Sequence, residues 1–238
     1  MSKKIFVLNG SSYGKAVEGL TDIEYDTSRF MEDPAKFGLV LFTGGEDITP
    51  ALYGETSPAH MCYFSPARDK LEYAIFKKAR IYGVRGIGIC RGVQLLNVIA
   101  GGKMYHHVDN HAGQYHNVVT QNNGVIRVNS LHHQMIRPPS DAHVIAYADE
   151  NRSSKYYGDQ DLLTSGPKRE PEAVLLPSIE CAGAQWHPEM LNDKDLGFKW
   201  FHELAKSLLH ERDFSKIVKK YTENSNAGDK VRHSGTDG

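Results

Sequence analysis

Short apolar runs alternate with segments of helical spacing through the first half of the chain. Residues 71–79 carry apolar side chains at helical spacing, and residues 93–100 are apolar until Gly101 and Gly102 interrupt them. Three other runs have the length and composition of buried strands, namely 5–8, 38–42 and 84–89. Strands that alternate with helices predict an α/β fold whose mostly parallel sheet is covered by helices on both faces. A site is then expected at the carboxyl ends of the strands.

The second half of the chain is richer in predicted strands. The run 173–176, a break at Pro177 and a second run that ends at Trp186 indicate a hairpin or two consecutive strands. Residues 196–208 repeat apolar side chains every four positions, which predicts a closing helix. Further short strands are predicted at 118–119, 125–128 and 144–148. We therefore expect a smaller β-rich extension in this half.

Composition narrows the class of protein. The 238 residues are enough for one domain with a substantial core. A formal net charge of -1 gives no sign of a nucleic-acid or membrane surface. Three cysteines supply no disulfide framework, which favours a reducing, cytoplasmic location. The first apolar run is too short for a signal peptide or a membrane span.

One cysteine has a setting that suits a nucleophile. Cys90 lies between Gly88 and Gly92, where a predicted strand turns into a predicted helix. The glycines permit a tight turn, and the helix N-terminus favours a thiolate. A small buried hydrophobe is the alternative for any cysteine. Cys62 and Cys181 lack flanking glycines, and we interpret both as structural.

A second motif supplies a base and a carboxylate. His187 and Glu189 are two residues apart, and in extended chain such residues project to the same side. Glu189 could then hold one ring nitrogen while the other faces Cys90. Taken alone, the segment would be an ordinary strand-end turn. Together the two motifs predict the nucleophile, base and orienting carboxylate of a thiol hydrolase.

At this point the sequence resembles a known family. Residues 88–97, followed by Gly101 and Gly102, resemble the nucleophile elbow of class I glutamine amidotransferases, closest to their γ-glutamyl hydrolase branch, which includes γ-glutamyl-γ-aminobutyrate hydrolases. The same branch has similar stretches, in the same order, at 42–50, 68–72 and 128–134. The resemblance spans roughly residues 4–209. It implies a flavodoxin-like catalytic domain over 1–210 with a polar insertion at about 149–170. The composition of 211–238 predicts a charged, partly disordered tail.

The resemblance also implies roles for individual residues. Cys90 would be the nucleophile, His187 the base and Glu189 its orienting carboxylate. The oxyanion hole would use the backbone N–H of Arg91 and of a glycine in the Gly44-Gly45 pair. Substrate contacts would come from Gln94, Ser130, His132, His133 and Gln134. The inserted segment would be either a lid or a mobile surface excursion.

The 12 histidines raise the question of a metal. Several of them crowd one segment together with an aspartate, namely His106, His107, Asp109, His111 and His116. Imidazoles and a carboxylate suit zinc, but their spacing matches no metal motif. The pair His132 and His133 fits a substrate loop or packing better than a ligand set. We therefore expect no metal and no cofactor.

The sequence thus predicts a cysteine hydrolase of γ-glutamyl amide bonds that forms a γ-glutamyl thioester. One alternative is a glutaminase subunit that passes ammonia to a separate synthetase. A second is a non-catalytic binding module of the same fold, although the intact triad argues against it. The expected ligand is a small γ-glutamyl amide or glutamine. A synthetase partner and a homodimer are both compatible with the sequence, and no nucleic-acid or membrane partner is expected.

Overall fold

The computed structural model of the chain describes residues 3–121 and 124–223. Its strands are β1 (Lys4–Val7), β2 (Ile23–Glu24), β3 (Phe37–Phe42), β4 (Arg85–Ile89), β5 (Lys103–Tyr105), β6 (His107–Val108), β7 (Gln114–Thr120), β8 (Val125–Ser130), β9 (Met135–Arg137), β10 (His143–Ala148), β11 (Tyr156–Tyr157), β12 (Leu163–Thr164), β13 (Pro171–Leu176) and β14 (Cys181–Ala184). Its α-helices are α1 (Thr27–Glu32), α2 (Pro66–Ile81), α3 (Arg91–Ile99), α4 (Leu196–His210) and α5 (Phe214–Thr222).

Nine of these strands form one mixed sheet in the order β2-β1-β3-β4-β14-β13-β10-β7-β8. The five strands from β2 to β14 run parallel, and the pairs from β14 to β8 are antiparallel. The predicted α/β class is therefore confirmed, and the β-rich extension continues the same sheet. The predicted hairpin is β13 and β14.

Helices cover both faces of the sheet and enclose two apolar cores. One core lies under α4, α5 and the 3₁₀ helix Ser11–Val17, and the other lies under α1, α2 and α3. Phe214, Ile217 and Tyr221 of α5 belong to the first core. The start of the predicted tail thus packs as a helix, whereas its predicted disorder falls outside the described residues. Across the described residues, no helix combines the length and apolar character needed to span a membrane.

The buried face of α2 differs from the face that hydrophobic periodicity predicts. Leu71 is 44% exposed and Ala74 is also exposed, whereas Asp69 and Glu72 are buried. The reason is electrostatic, because both carboxylates pair with the buried guanidinium of Arg91. Specific charge pairs therefore set the orientation of the first half of this helix.

The polar segment 149–170 is held against the domain rather than extending freely from it. Strand β11 pairs with β12 and with β6 in a small antiparallel sheet. The buried Glu170 carboxylate accepts hydrogen bonds from the backbone N–H of Arg152 at 2.7 Å and of Ser153 at 2.9 Å, and from the Tyr156 hydroxyl at 2.7 Å. This part of the insertion is therefore packed against the domain, and a role as a lid or a mobile excursion stays a prediction.

Candidate active site

Cys90 lies at the turn between β4 and α3, at the carboxyl end of the parallel strands. Its backbone has φ 51° and ψ -113°, a conformation that residues other than glycine rarely adopt. The Cys90 N–H donates to the Ala184 carbonyl at 2.9 Å, and the Cys90 carbonyl accepts from the Gln94 N–H at 3.2 Å. These bonds fix the turn, whose strain of about 1–3 kcal/mol is typical of functional sites.

Close backbone approach explains the glycines on both sides of Cys90. A Cβ on Gly88 would lie 2.2 Å from the Val93 nitrogen, and one on Gly92 would lie 2.1 Å from the Phe42 carbonyl oxygen. Neither neighbour can move, because both are backbone atoms of packed elements. The glycine pattern is thus a steric requirement of the turn that presents the thiol.

His187 and Glu189 meet as the sequence predicts, although their backbone is not extended. Residues Pro188–Met190 form a 3₁₀ turn, and His187 Nδ1 lies 2.7 Å from Glu189 Oε1. Burial lowers the pKa of His187, but hydrogen bonds and charge from Cys90 and Glu189 outweigh it and raise that pKa to about 10. Because Nδ1 faces the carboxylate, Nε2 is the nitrogen left for the thiol.

Asn129 fixes the backbone of the histidine. Its side-chain oxygen accepts from the His187 N–H at 2.9 Å, and its Nδ2 donates to the His187 carbonyl at 2.9 Å. This buried amide at the end of β8 thereby joins the sheet extension to the site. Sequence analysis assigned Asn129 no role. The available signal was its place in the stretch 128–134, which resembles the family.

Arg68 holds the glycine loop that follows β3. Its Nη2 donates to the Gly44 carbonyl at 2.7 Å, its Nη1 to Glu46 at 2.5 Å, and its Nε to Glu72 at 2.8 Å. A Cβ on Gly45 would lie 1.9 Å from Arg68 Nη1, so the guanidinium packs directly over that residue. The loop is thus fastened to α2 by a planar group with several donors.

The residue after the nucleophile joins the same network. The Arg91 guanidinium is buried and donates to Asp69 Oδ1 at 2.5 Å and to Glu72 Oε2. Asp69 Oδ2 in turn accepts from the Thr49 hydroxyl at 2.5 Å. Since Glu72 also accepts from Arg68, one chain of charged hydrogen bonds connects the Cys90 elbow with the glycine loop. Loss of one partner from such a buried network typically costs about 3–5 kcal/mol.

A cavity of about 160 Å³ opens beside Cys90. It is lined by Gly45, Glu46, Asp47, Tyr63, Cys90, Gln94, Leu131, His132, His133 and Gln134. The structure thus brings the thiol together with four of the five residues that the resemblance assigned to substrate. Ser130 is the exception, because it is fully buried and its hydroxyl lies 3.5 Å from His111 Nδ1.

The cavity wall that sequence analysis missed is acidic and aromatic. Asp47 accepts from the Tyr63 backbone N–H at 2.7 Å and lies 3.1 Å from His133 Nε2. Tyr63 itself is largely exposed beside the cavity. These contacts join the glycine-loop segment to the histidine loop across the pocket. No spacing pattern links residues so far apart in the chain.

The other two cysteines lack the features of a nucleophile. Cys62 is buried, and burial raises its pKa to about 11. Cys181 is fully buried in β14, and burial raises its pKa to about 12. All three cysteines are free thiols. Only Cys90 combines a helix start, a histidine contact and a place in the cavity wall.

The family of the chain follows from its sequence. The sequence model of Peptidase C26 matches residues 26–152, which is more than half of the 238 residues. The chain belongs to the Peptidase C26 family. The matched segment contains the glycine loop, α2 and the Cys90 elbow, whereas His187 and Glu189 lie beyond it.

Curated relatives agree with this family, and a solved structure shares the fold. The glutamine amidotransferase-like protein YvdE of Lactococcus lactis is 28% identical over 170 residues, which are 63% of this chain and 65% of YvdE. A Mycobacterium tuberculosis protein named as a glutamine amidotransferase is 30% identical over 174 residues, which are 66% of this chain and 54% of that protein. The chain thus spans less than two thirds of the length of these curated relatives. The same fold occurs in the glutaminase domain of Trypanosoma brucei CTP synthase, which was solved with bound acivicin. The TM-score is 0.53 at 13% identity, and the match covers 90% of this chain and 95% of that domain. This member of Peptidase C26 is therefore a glutamine amidotransferase-like protein of the class I superfamily.

Proposed function

We propose that the protein is a cysteine hydrolase of γ-glutamyl amide bonds. The observation that carries this proposal is the placement of His187 between Glu189, which lies on one ring nitrogen, and Cys90, which with Glu189 raises the pKa of that histidine, beside a small cavity that Cys90 lines. Its volume of about 160 Å³ suits a compact group. The family and the glutamine amidotransferase-like relatives support the same chemistry.

The reaction proceeds through an acyl-enzyme. The Cys90 thiolate attacks the γ-carbonyl carbon, and a tetrahedral oxyanion forms. The His187 imidazolium donates its Nε2 proton to the leaving amine, so the C–N bond breaks and a γ-glutamyl thioester remains on Cys90. A water then gives a proton to neutral His187 and attacks the thioester, which releases glutamate and restores the thiolate–imidazolium pair. Glu189 keeps the ring oriented and stabilises its charged form.

Peptide geometry supports Gly45 as the loop donor of the oxyanion hole. The described residues contain no cis peptide, and in a trans peptide the carbonyl and the next N–H point in opposite directions. Because Arg68 holds the Gly44 carbonyl, the Gly45 N–H points away from Arg68. Gly45 also lines the cavity with Cys90. The second donor is the Arg91 N–H, which has no intrahelical acceptor in the first turn of α3. One such donor contributes about 3 kcal/mol to catalysis.

The leading alternative is a glutaminase subunit that supplies ammonia to a synthetase. It uses the same residues, and the fold likeness to a CTP synthase glutaminase domain is compatible with it. Two features favour the free-standing hydrolase. The triad contacts form within this chain alone, and Arg68 already holds the glycine loop. A non-catalytic module would need neither feature.

A substrate panel separates these functions. The purified full chain is assayed for glutamate release from glutamine and from several γ-glutamyl amines, alone and with candidate synthetases. Cys90→Ala serves as the inactive variant, and Cys181→Ala is the matched control because it removes a buried thiol remote from the cavity. Cleavage of a γ-glutamyl amine without a partner supports the hydrolase. Glutamine turnover only with a synthetase supports the alternative, and silence under every condition refutes both.

A further inference from the structure

Two histidines and a carboxylate converge behind the loop that lines the cavity. His111 Nδ1 lies 3.6 Å from Glu172 Oε1, and His132 Nε2 lies 3.7 Å from the same oxygen. The three ligand atoms all lie within 4.8 Å of one another, and all three residues are buried. They come from the turn after β6, the loop after β8 and strand β13.

The outer hydrogen bonds of both imidazoles leave bare nitrogens facing the centre. The Gln134 carbonyl can only accept, so His132 Nδ1–H donates to it at 2.8 Å and His132 Nε2 carries no proton in the neutral ring. Glu170 likewise accepts from His111 Nε2–H at 3.0 Å, which leaves Nδ1 without a proton in the neutral ring and with the Ser130 hydroxyl 3.5 Å away. Metal-binding histidines show this pattern, with the second nitrogen donating to a carbonyl or a carboxylate.

Two buried polar atoms of the cluster residues lack hydrogen-bond partners. His132 Nε2 and Glu172 Oε2 are buried and have no hydrogen-bond partner among the described residues. His116 Nε2–H donates to Glu172 Oε1 at 3.1 Å and so orients that carboxylate. A buried acceptor without a hydrogen-bond partner destabilises the fold, so these atoms call for a ligand.

Charge balance indicates that the ligand is a cation and that its charge is +2. Glu170 and Glu172 place two carboxylates inside the fold, and buried charges require counter-charges. One divalent cation with neutral imidazoles would neutralise them. The other solution is two imidazolium rings and no ion. The bare nitrogens and the missing hydrogen bonds favour the cation.

We propose that His111, His132 and Glu172 bind a zinc-type divalent cation. Zinc ligands at about 2.0–2.1 Å in tetrahedral geometry lie about 3.3 Å apart. The two separations to Glu172, 3.6 and 3.7 Å, need a contraction of a few tenths of an ångström, and the two imidazoles lie within 4.8 Å of each other and would also have to approach. The Ser130 hydroxyl, 3.5 Å from His111 Nδ1, is the nearby oxygen that could complete the coordination. The enclosed position makes this a structural site.

The ion would fix the wall of the substrate cavity. His132 precedes His133 and Gln134, which line that cavity, and Glu172 belongs to the central sheet. A cation between them would tie the loop to the sheet. Its loss should then raise KM more than it lowers kcat, because Cys90 and His187 are not ligands.

Metal content and thermal stability test the proposal. The full chain is purified without a polyhistidine tag, treated with a chelator and titrated with zinc or with cobalt as a spectroscopic probe. We expect one zinc per chain as purified, a tetrahedral cobalt absorption band, and a rise in Tm of about 5–10 °C when zinc saturates the chelated protein. Protein that contains no zinc, takes up none and keeps its Tm overturns the proposal, and this result requires no variant.

Variants then locate the ion. Glu172→Gln and His132→Gln should abolish stoichiometric zinc binding and the cobalt band. His106→Gln is the matched control, because His106 is equally buried between two carboxylates and belongs to the other candidate trio, with Cys62 and Asp161. Zinc retained in His106→Gln supports the proposal. Zinc retained in folded Glu172→Gln and lost in His106→Gln overturns it.

Discussion

Replacing Glu189 with glutamine removes the charge beside His187 but keeps the shape of the side chain. The two groups lie 2.7 Å apart, and Cys90 and Glu189 together outweigh burial to raise the pKa of His187 to about 10. Activity that needs the imidazolium should therefore fall as the pH rises through about 10. A hydrogen bond to a charged group contributes about 1.5–3 kcal/mol, and one pKa unit corresponds to about 1.4 kcal/mol. The alkaline limb should then move down by about one to two pH units.

The assay is a profile of kcat/KM against pH for the parent chain and for Glu189→Gln. Protein stability gives an independent check. Because folding raises the pKa of His187 from its ordinary value of 6.5, this group stabilises the fold fully below pH 6.5, and that contribution is lost as the pH rises toward about 10. The variant should lose less stability across this window. An unchanged alkaline limb, with an unchanged rate at every pH, would refute the orienting role of Glu189.

Three further predictions concern the thiol, the glycine loop and the base. Iodoacetamide should label Cys90 well before Cys62 or Cys181, since burial raises the pKa of Cys62 to about 11 and that of Cys181 to about 12. Mass spectrometry that finds Cys62 or Cys181 labelled first would contradict the assignment of Cys90 as the nucleophile. Arg68→Met should lower kcat by about 10–100-fold with little change in KM, because the oxyanion donor in the glycine loop loses its alignment. A rise in KM of similar size with unchanged kcat would argue against this role of Arg68. Asn129→Leu should lower kcat and should lower the free energy of unfolding by about 1–3 kcal/mol, because two buried hydrogen bonds to the backbone of His187 are lost. Unchanged kinetics in a destabilised protein would show that the role of Asn129 is purely structural.

The parts that sequence could predict depend on neighbouring residues. The strand before Cys90, the glycines around it and the helix after it are all local signals, and the structure contains all three. The pairing of His187 with Glu189 was also local, although a 3₁₀ turn rather than extended chain brings them together. Local periodicity and steric demands are sufficient for such features.

The parts that sequence could not predict depend on contacts between distant segments. Periodicity gave the wrong buried face for the start of α2, because Asp69 and Glu72 turn inward to meet Arg91. The two hydrogen bonds between the Asn129 side chain and the His187 backbone join β8 to the segment after β14, and no spacing rule relates these two segments. The same holds for the cluster of His111, His132 and Glu172. Charge pairs and buried hydrogen bonds of this kind outweigh hydrophobic pattern where they form.

The most direct test of the proposed chemistry is to trap its covalent intermediate. The purified chain is mixed with a γ-glutamyl amine, quenched in acid within the first turnovers and digested for peptide mass spectrometry. Our account predicts one γ-glutamyl group on the peptide that contains Cys90, and no such adduct in Cys90→Ala, which should also be inactive. Turnover in Cys90→Ala, or an adduct on another residue, would contradict the account.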